Sequence, residues 1–539
     1  MPNMQQLRKK WFLDFSGNEW KPLQSRHSGC KISDWTSGHV VPVIEGKEYM
    51  EKWYRFMQDA DQNTTVYHAG WRLEDVPLLG KSKPNTKVLS VIKAAFNRGV
   101  NVYISLSGHA TNHPTNITSL MELKNTGLKT IGIDYRFPGT GSNHQKYTIF
   151  DFKNMDSMAL LGSIDIDTKR WGRKQHKTED SERPGYPTHE VGVLLKGNVI
   201  NDLKWDYISR WNDETRTAPA DRGVGLSPDP GLRFPDLANP RSSPPQISET
   251  PPSAAEGDGP QQIQVLRTFG IAEGEWGSYS WANMENGDSW EHTGEFTFWA
   301  SFLNAIKNST KYIYIEGQFF TQFSTTGVSS GENVWLNRLR EYNPYYQLAQ
   351  AIRRGVEVIV VVARNPDLQA ILDERNKGIA YLRKVAKESQ SRGDFSIAYL
   401  HNGDVVNGSE VTIYVHSKLA IFDDEFVLVG TGNVNQRSMT TDGEIHLGIL
   451  DKRGEFAKDF RKSLWKEHDQ DHNYHSNYSL EEDIRHFKFA INSEEIWRVR
   501  RYPDKEPPDT WYFHDLWEGF IVDPFHGPSK ADAPYIRER

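Results

Sequence analysis

NHQKYTIFDF, residues 143–152, and VHSKLAIFDD, residues 415–424, carry one spacing of His, Lys and Asp. His144, Lys146 and Asp151 recur as His416, Lys418 and Asp423. Both runs are apolar and β-like, and in an extended strand residues two apart project to one face. His and Lys of each copy therefore point together, while Gln145 and Ser417 face away. One such match is a weak signal. Two copies, each followed by a small-residue turn (Gly162-Ser163-Ile164-Asp165 and Gly430-Thr431-Gly432-Asn433), define a duplicated unit.

The surroundings repeat as well. The first half offers a strand at TVYHAGWR (65–72), a helix at KVLSVIKAAFNR (87–98), Gly99 and the strand VNVYISL. The second offers KYIYIEGQFF (311–320), a helix YYQLAQAIRR (345–354), Gly355 and VEVIVVVA. Each helix stops at Arg-Gly, and glycine suits the position just past a helix end. HEVGVLLKG (189–197) and GEIHLGILD (443–451) close the two halves. Strands alternating with helices predict an α/β architecture, and the duplication predicts a pseudo-two-fold arrangement meeting at a shared cleft. The expected division is an N-terminal lobe 1–216, a Pro-rich linker 217–262, a C-terminal lobe 263–470 and an aromatic-rich extension 471–539 packing on the core. Ten of the 27 prolines fall in 217–260, too polar a stretch to bury a core of its own.

Composition bounds the function. Hydrophobic residues make up 37% and charged residues 25% of 539, an ordinary globular balance. A net charge of −7 argues against a dedicated nucleic-acid binder, whose affinity rests on basic excess. No apolar run approaches the length that spans a bilayer, and MPNMQQLRKKWFLDFSGNEW lacks the apolar core of a secretory signal. Cys30 is the only cysteine, so no intramolecular disulfide forms. These features fit cytoplasmic synthesis, with leaderless export left open.

Two imidazoles and two ammonium groups brought together suit phosphodiester cleavage. One His attacks phosphorus, the other, protonated, supplies the leaving group's proton, and a phospho-histidine links the two steps. Lys146 and Lys418 hold the phosphate, with Asn433, Asp165, Ser163 and Thr431 of the two turns as further phosphate-binding candidates. Glu190 and Glu444, at matched points of the closing strands, are placed to orient the imidazoles. Asp151 and Asp423, at the far ends of the motif strands, read as structural. Nothing in this chemistry demands a metal or cofactor. His109 and His113 straddle a loop, and the run from His468 to His475 reads as a solvated polar loop. FPGTGSNHQ ahead of the first motif lacks the Lys-Ser/Thr of a phosphate-cradling loop.

The two motifs, together with GCKISDWTSGHVVPVIEGKEYMEKW, IQVLRTF, IYIEGQFF, HEVGVLLKGNVINDLKWDYISRWN and VHSKLAIFDDEFVLVGTGNVNQRSM, resemble the phospholipase D superfamily, specifically its eukaryotic-type branch. The similarity covers roughly residues 28–470. It implies two similar α/β/α sandwich lobes with the active site at their interface. It also implies His144 as nucleophile, His416 as general acid then base, and phosphatidyl transfer to water or primary alcohols. A phospholipid at a membrane surface is then the expected partner, for a monomer that binds no nucleic acid. Gly162-Ser163 replaces the commoner pair of glycines, Asp165 stands where many members have Asn, and the family's membrane-targeting modules are absent from this sequence. The compact core resembles bacterial members, including toxins delivered into other cells, which would be paired with an immunity protein. Cardiolipin synthase-like transfer and nuclease activity are the alternatives.

Overall fold

The computed structural model describes residues 3–503 apart from 18, 21–22, 24–25, 27–29, 110–112, 135–141, 184, 213–245, 253–256, 270–294, 323–339, 366–368, 389–392, 441, 470–476 and 494–497. Most of the Pro-rich stretch, the loop before the first motif up to 141, most of the run from His468 to His475 and the aromatic segment 504–539 lie outside the described residues.

The first half contributes β1 (Thr36–Ile44), β2 (Thr65–Gly70), β3 (Asn101–Ser107), β4 (Ile131–Asp134), β5 (Tyr147–Asp151), β6 (Met158–Gly162), β7 (Thr188–His189) and β8 (Val191–Gly197). The second contributes β9 (Gln261–Thr268), β10 (Tyr312–Gly317), β11 (Glu357–Val362), β12 (Phe395–Val406), β13 (Ser409–Val415), β14 (Lys418–Phe422), β15 (Phe426–Gly430), β16 (Glu444–Asp451) and β17 (Val499–Arg501). Outward from the middle, the first half runs β1–β8–β6–β5–β2–β3–β4. The second runs β9–β16–β15–β14–β10–β11–β12, the same order element for element. β1 and β9 meet antiparallel, with Thr36 opposite Ile263 and Gly38 opposite Gln261, as a pseudo-two-fold junction requires.

Strand composition follows from layering. VIVVV of β11 and KLAIF of β14 are buried along nearly their whole length, the pattern of a sheet covered on both faces. Helices Gly46–Asp59, Val88–Asn97 and His113–Lys124 cover the outer face of the first half. Helices Thr297–Asn308 and Pro344–Arg353 cover that of the second. Between the halves, Val199–Asn212, Phe456–His468 and Leu480–Asn492 pack into one core shared by both sheets. Gly99 (φ +90°) and Gly355 (φ +98°) take the left-handed conformation that ends each Arg-Gly helix.

One boundary differs from the sequence reading. The helix Met4–Trp11 packs on the second half rather than the first. Trp11 stacks on Phe426 with ring centroids 5.6 Å apart, and Lys10 reaches Glu425 at 2.9 Å and Asp423 at 3.4 Å. The stretch from Leu480 packs on the main body as a helix and as β17 on β12. No described helix is long and apolar enough to cross a membrane.

Asp151 and Asp423 lie at the strand ends, away from the paired histidines. The buried Asp423 accepts backbone N–H bonds from Thr310, Lys311 and Tyr312 at 2.8–3.0 Å, tying β14 to the start of β10. Asp151 accepts instead from Lys204 and Ser157, each at 2.8 Å. Asp423→Ala strands three backbone donors, that of Tyr312 buried, so it is expected to cost about 2–4 kcal/mol, against about 1 kcal/mol for Asp151→Ala. Urea unfolding of the two variants checks this, and a larger loss for Asp151→Ala contradicts it.

Candidate active site

Each motif begins in the extended approach to its strand. There each histidine backbone bonds across to the other half, in short parallel pairings of Val415 with His189 and Asn143 with Gly443. His144 N–H donates to Gly443 O and His416 N–H to His189 O, both at 2.9 Å. Gly443 precedes Glu444 and His189 precedes Glu190, so these bonds set each imidazole against the opposite half's carboxylate. His144 Nδ1 lies 2.9 Å from Glu444 Oε1, and His416 Nδ1 lies 3.0 Å from Glu190 Oε1. With Nδ1 held, Nε2 is the nitrogen left to meet a phosphorus atom.

The small-residue turns explain how the glutamates are aimed. Ser163 Oγ donates to Glu190 and Thr431 Oγ1 to Glu444, each within its own half. Both hydroxyls also accept a backbone N–H, from Val191 and Ile445 respectively. They are thus committed to the carboxylates and the closing strands, which corrects their reading as phosphate ligands. The preceding glycines allow this approach. A Cβ on Gly162 would sit 2.6 Å from Val191 O, and one on Gly430 would collide with Ile445 O.

Lys146 Nζ donates to His144 O at 2.8 Å and Lys418 Nζ to His416 O at 2.7 Å, keeping each ammonium beside its own histidine. Lys146 also lies 3.6 Å from Asp165 Oδ2, whereas Lys418 donates to Gln318 Oε1 at 3.1 Å. Asp165 Oδ1 accepts the Trp71 and Arg72 N–H groups, and Asn433 Oδ1 accepts Phe319 N–H. The two residues therefore brace equivalent loops after β2 and β10, and Asp165 adds a charge that its counterpart lacks.

Sequence reading missed three contributors. Arg170, between the turn at 162–165 and β7, is buried with Nε 3.5 Å from Glu190. Gln318 and Trp71 follow the matched ends of β2 and β10, and Trp71 packs edge-on to the His144 ring at 6.1 Å. The repeated Gly70-Trp71 and Gly317-Gln318 positions were the available signal. Nothing local marked Arg170.

Burial dominates the electrostatics. It lowers both histidines well below the usual imidazole range. The Lys146 charge adds to this at His144, and the Arg170 and Lys418 charges at His416. Burial raises Glu190 to about 7 and also raises Glu444. It lowers Lys146, and lowers Lys418 far more, where Lys146 and Arg170 add repulsion. The resting imidazoles are therefore neutral, and a phosphate anion between them would favour protonation of the surrounding cations.

A family model for Phospholipase D matches residues 385–496, around the second motif. Phospholipase D1 of Cricetulus griseus is 27% identical over 285 residues, covering 50% of this chain and 25% of that protein's length. Phospholipase D alpha 1 of Arabidopsis thaliana is 23% identical over 574 residues, covering 82% of this chain and 68% of that one. The chain is thus similar to phospholipase D proteins over much of its length, and both motifs stand in matched halves, although the family model spans only the second. Among solved structures, the phosphatidylserine synthase of Haemophilus influenzae Rd KW20 aligns with a TM-score of 0.47 and 13% identity, over 84% of this chain and 93% of that one.

The crossed pairing is testable by histidine-selective NMR titration. His144 and His416 are expected to titrate below 6.5, with Glu444→Gln moving the His144 curve and Glu190→Gln the His416 curve. The opposite assignment would contradict the geometry. Ser163→Ala and Thr431→Val, which release the glutamates, are each expected to lower phosphodiester turnover by about 10–100-fold.

Proposed function

We propose that the protein is a phospholipase D, hydrolysing glycerophospholipids to phosphatidic acid and free headgroup. The observation that carries this reading is the crossed His–Glu pairing. It yields two imidazoles with held Nδ1 atoms and two lysines in one site built from both halves. His144 Nε2 attacks phosphorus and forms a phospho-histidine while Glu444 holds its Nδ1 proton. His416, protonated as the anionic substrate enters, gives its proton to the headgroup oxygen. It then takes a proton from water, which attacks the phospho-histidine and releases phosphatidic acid. The greater exposure of the His144 side chain, 13% against 3% for His416, supports this assignment of roles. Lys146 and Lys418 balance charge on the non-bridging oxygens.

A primary alcohol can replace water at the second step, giving a phosphatidyl-alcohol. The partner is a phospholipid at a membrane surface, with the protein acting as a monomer and without nucleic acid. Delivery as a toxin, with a matching immunity protein, is one biological setting for this activity, and a housekeeping or environmental lipase is the other. Transfer of the cardiolipin synthase kind and nuclease action are separated from it by product.

Incubation with labelled phosphatidylcholine or phosphatidylethanolamine plus 1-butanol is expected to yield phosphatidic acid and phosphatidylbutanol. His144→Ala should abolish both products, and His416→Ala should lower turnover by about 10²–10⁴-fold. Cardiolipin as main product, or plasmid cleavage without lipid turnover, would redirect the assignment.

A further inference from the structure

Beside the reactive histidines lies a second cluster that the proposed reaction does not use. Glu45 follows β1, His176 lies between β6 and β7, His189 ends β7, and Glu467 sits near the end of the helix Phe456–His468. All four are buried. His189 Nδ1 is 2.6 Å from Glu45 Oε1 and 3.3 Å from Glu467 Oε1. His176 Nε2 is 3.4 Å from Glu45 Oε1 and 3.0 Å from Glu467 Oε1. One donor atom from each side chain thus falls within 4.8 Å of every other.

We propose that Glu45, His176, His189 and Glu467 form a closed, four-coordinate site for zinc or a similar divalent transition-metal ion. A tetrahedral ion with bonds of about 2.0–2.2 Å separates its ligands by about 3.3–3.6 Å, close to three of the four distances above. Two imidazoles with two carboxylates suit such an ion better than calcium or magnesium, which take oxygen ligands. The outer groups match a metal site too. His189 Nε2 faces Glu316 Oε2 at 3.0 Å, so a carboxylate fixes the imidazole with Nδ1 turned inward. Glu316 Oε1 is itself held by His468 Nε2 at 2.8 Å and the Tyr314 hydroxyl at 2.6 Å. Glu45 Oε2 and Glu467 Oε2 are buried without a hydrogen-bond partner, so two carboxylates share a buried site in which a divalent cation would supply the missing charge.

With four protein ligands the site is structural, leaving no position for substrate. Three ligands come from the first half and Glu467 from the second, so the ion pins the halves together. It does so at His189, whose carbonyl oxygen accepts the His416 N–H. The site stands whether or not the lipid reaction is correct. His468, read from sequence as part of a solvated loop, is instead buried at a helix end as an outer support.

The test uses the untagged full chain, dialysed against zinc and then against metal-free buffer, with metal read by mass spectrometry. About one equivalent of zinc is expected, along with a lower Tm in chelator that zinc restores and magnesium does not. Cobalt loading should give the visible absorption of a tetrahedral centre. Glu45→Gln and His176→Ala should lose the metal, and Glu316→Gln should weaken it by about 10–100-fold. Should those variants fail to fold, the wild-type metal content and cobalt spectrum decide. Wild-type zinc below about a tenth of an equivalent, an octahedral cobalt spectrum, or undiminished zinc in folded variants would overturn the proposal.

Discussion

A buried imidazole that must present a bare Nε2 needs its Nδ1 proton held, and here the carboxylate that holds it comes from the opposite half. Neither half can build a working histidine alone. The His144–Glu444 and His416–Glu190 pairs bury Glu444, His416 and Glu190 and half-bury His144, and each is tolerable only while its partner is in place. The rest of the architecture serves that crossing. β1 and β9 join the sheets, a common core fills the space between them, and the backbone of each histidine bonds to the residue before the opposing glutamate.

Much of this was legible in the chain because it repeats locally. Period-two strands placed His144 with Lys146 and His416 with Lys418. The Arg-Gly helix ends marked matched units, and the closing strands pointed to Glu190 and Glu444. The crossing was not legible, because nothing in a strand's own pattern says which of two equivalent carboxylates its histidine will meet. Ser163 and Thr431 illustrate the same limit. Their hydroxyls looked suited to phosphate, but strand pairing turns them onto the glutamates. Arg170, His176 and His468 were read as solvated or passed over because they sit in polar runs, and only tertiary packing buries them. The N-terminal helix misled for a related reason. Its partners, Phe426 and Asp423, lie some 400 residues away.

The two halves are alike in fold and unlike in charge. Lys146 has Asp165 as counter-ion, while its counterpart Lys418 has the neutral Gln318. Lys418 is correspondingly the more depressed of the two ammonium groups. On the proposed mechanism, an arriving phosphate anion changes the second half more than the first, and it is there that His416 would take up a proton. The first half keeps its lysine paired and its histidine the more exposed, as suits a nucleophile. The duplicated fold thus gives its two lysines different surroundings, with Asp165 against Asn433 among the matched positions that differ.

The most direct test of this account is to identify the phosphorylated residue. Rapid quench of a reaction on phosphorus-labelled lipid, under conditions that preserve phospho-histidine, followed by peptide mapping, should place the label on the peptide carrying His144. Label on His416, or no covalent intermediate in an actively turning-over enzyme, would contradict the division of roles between the halves.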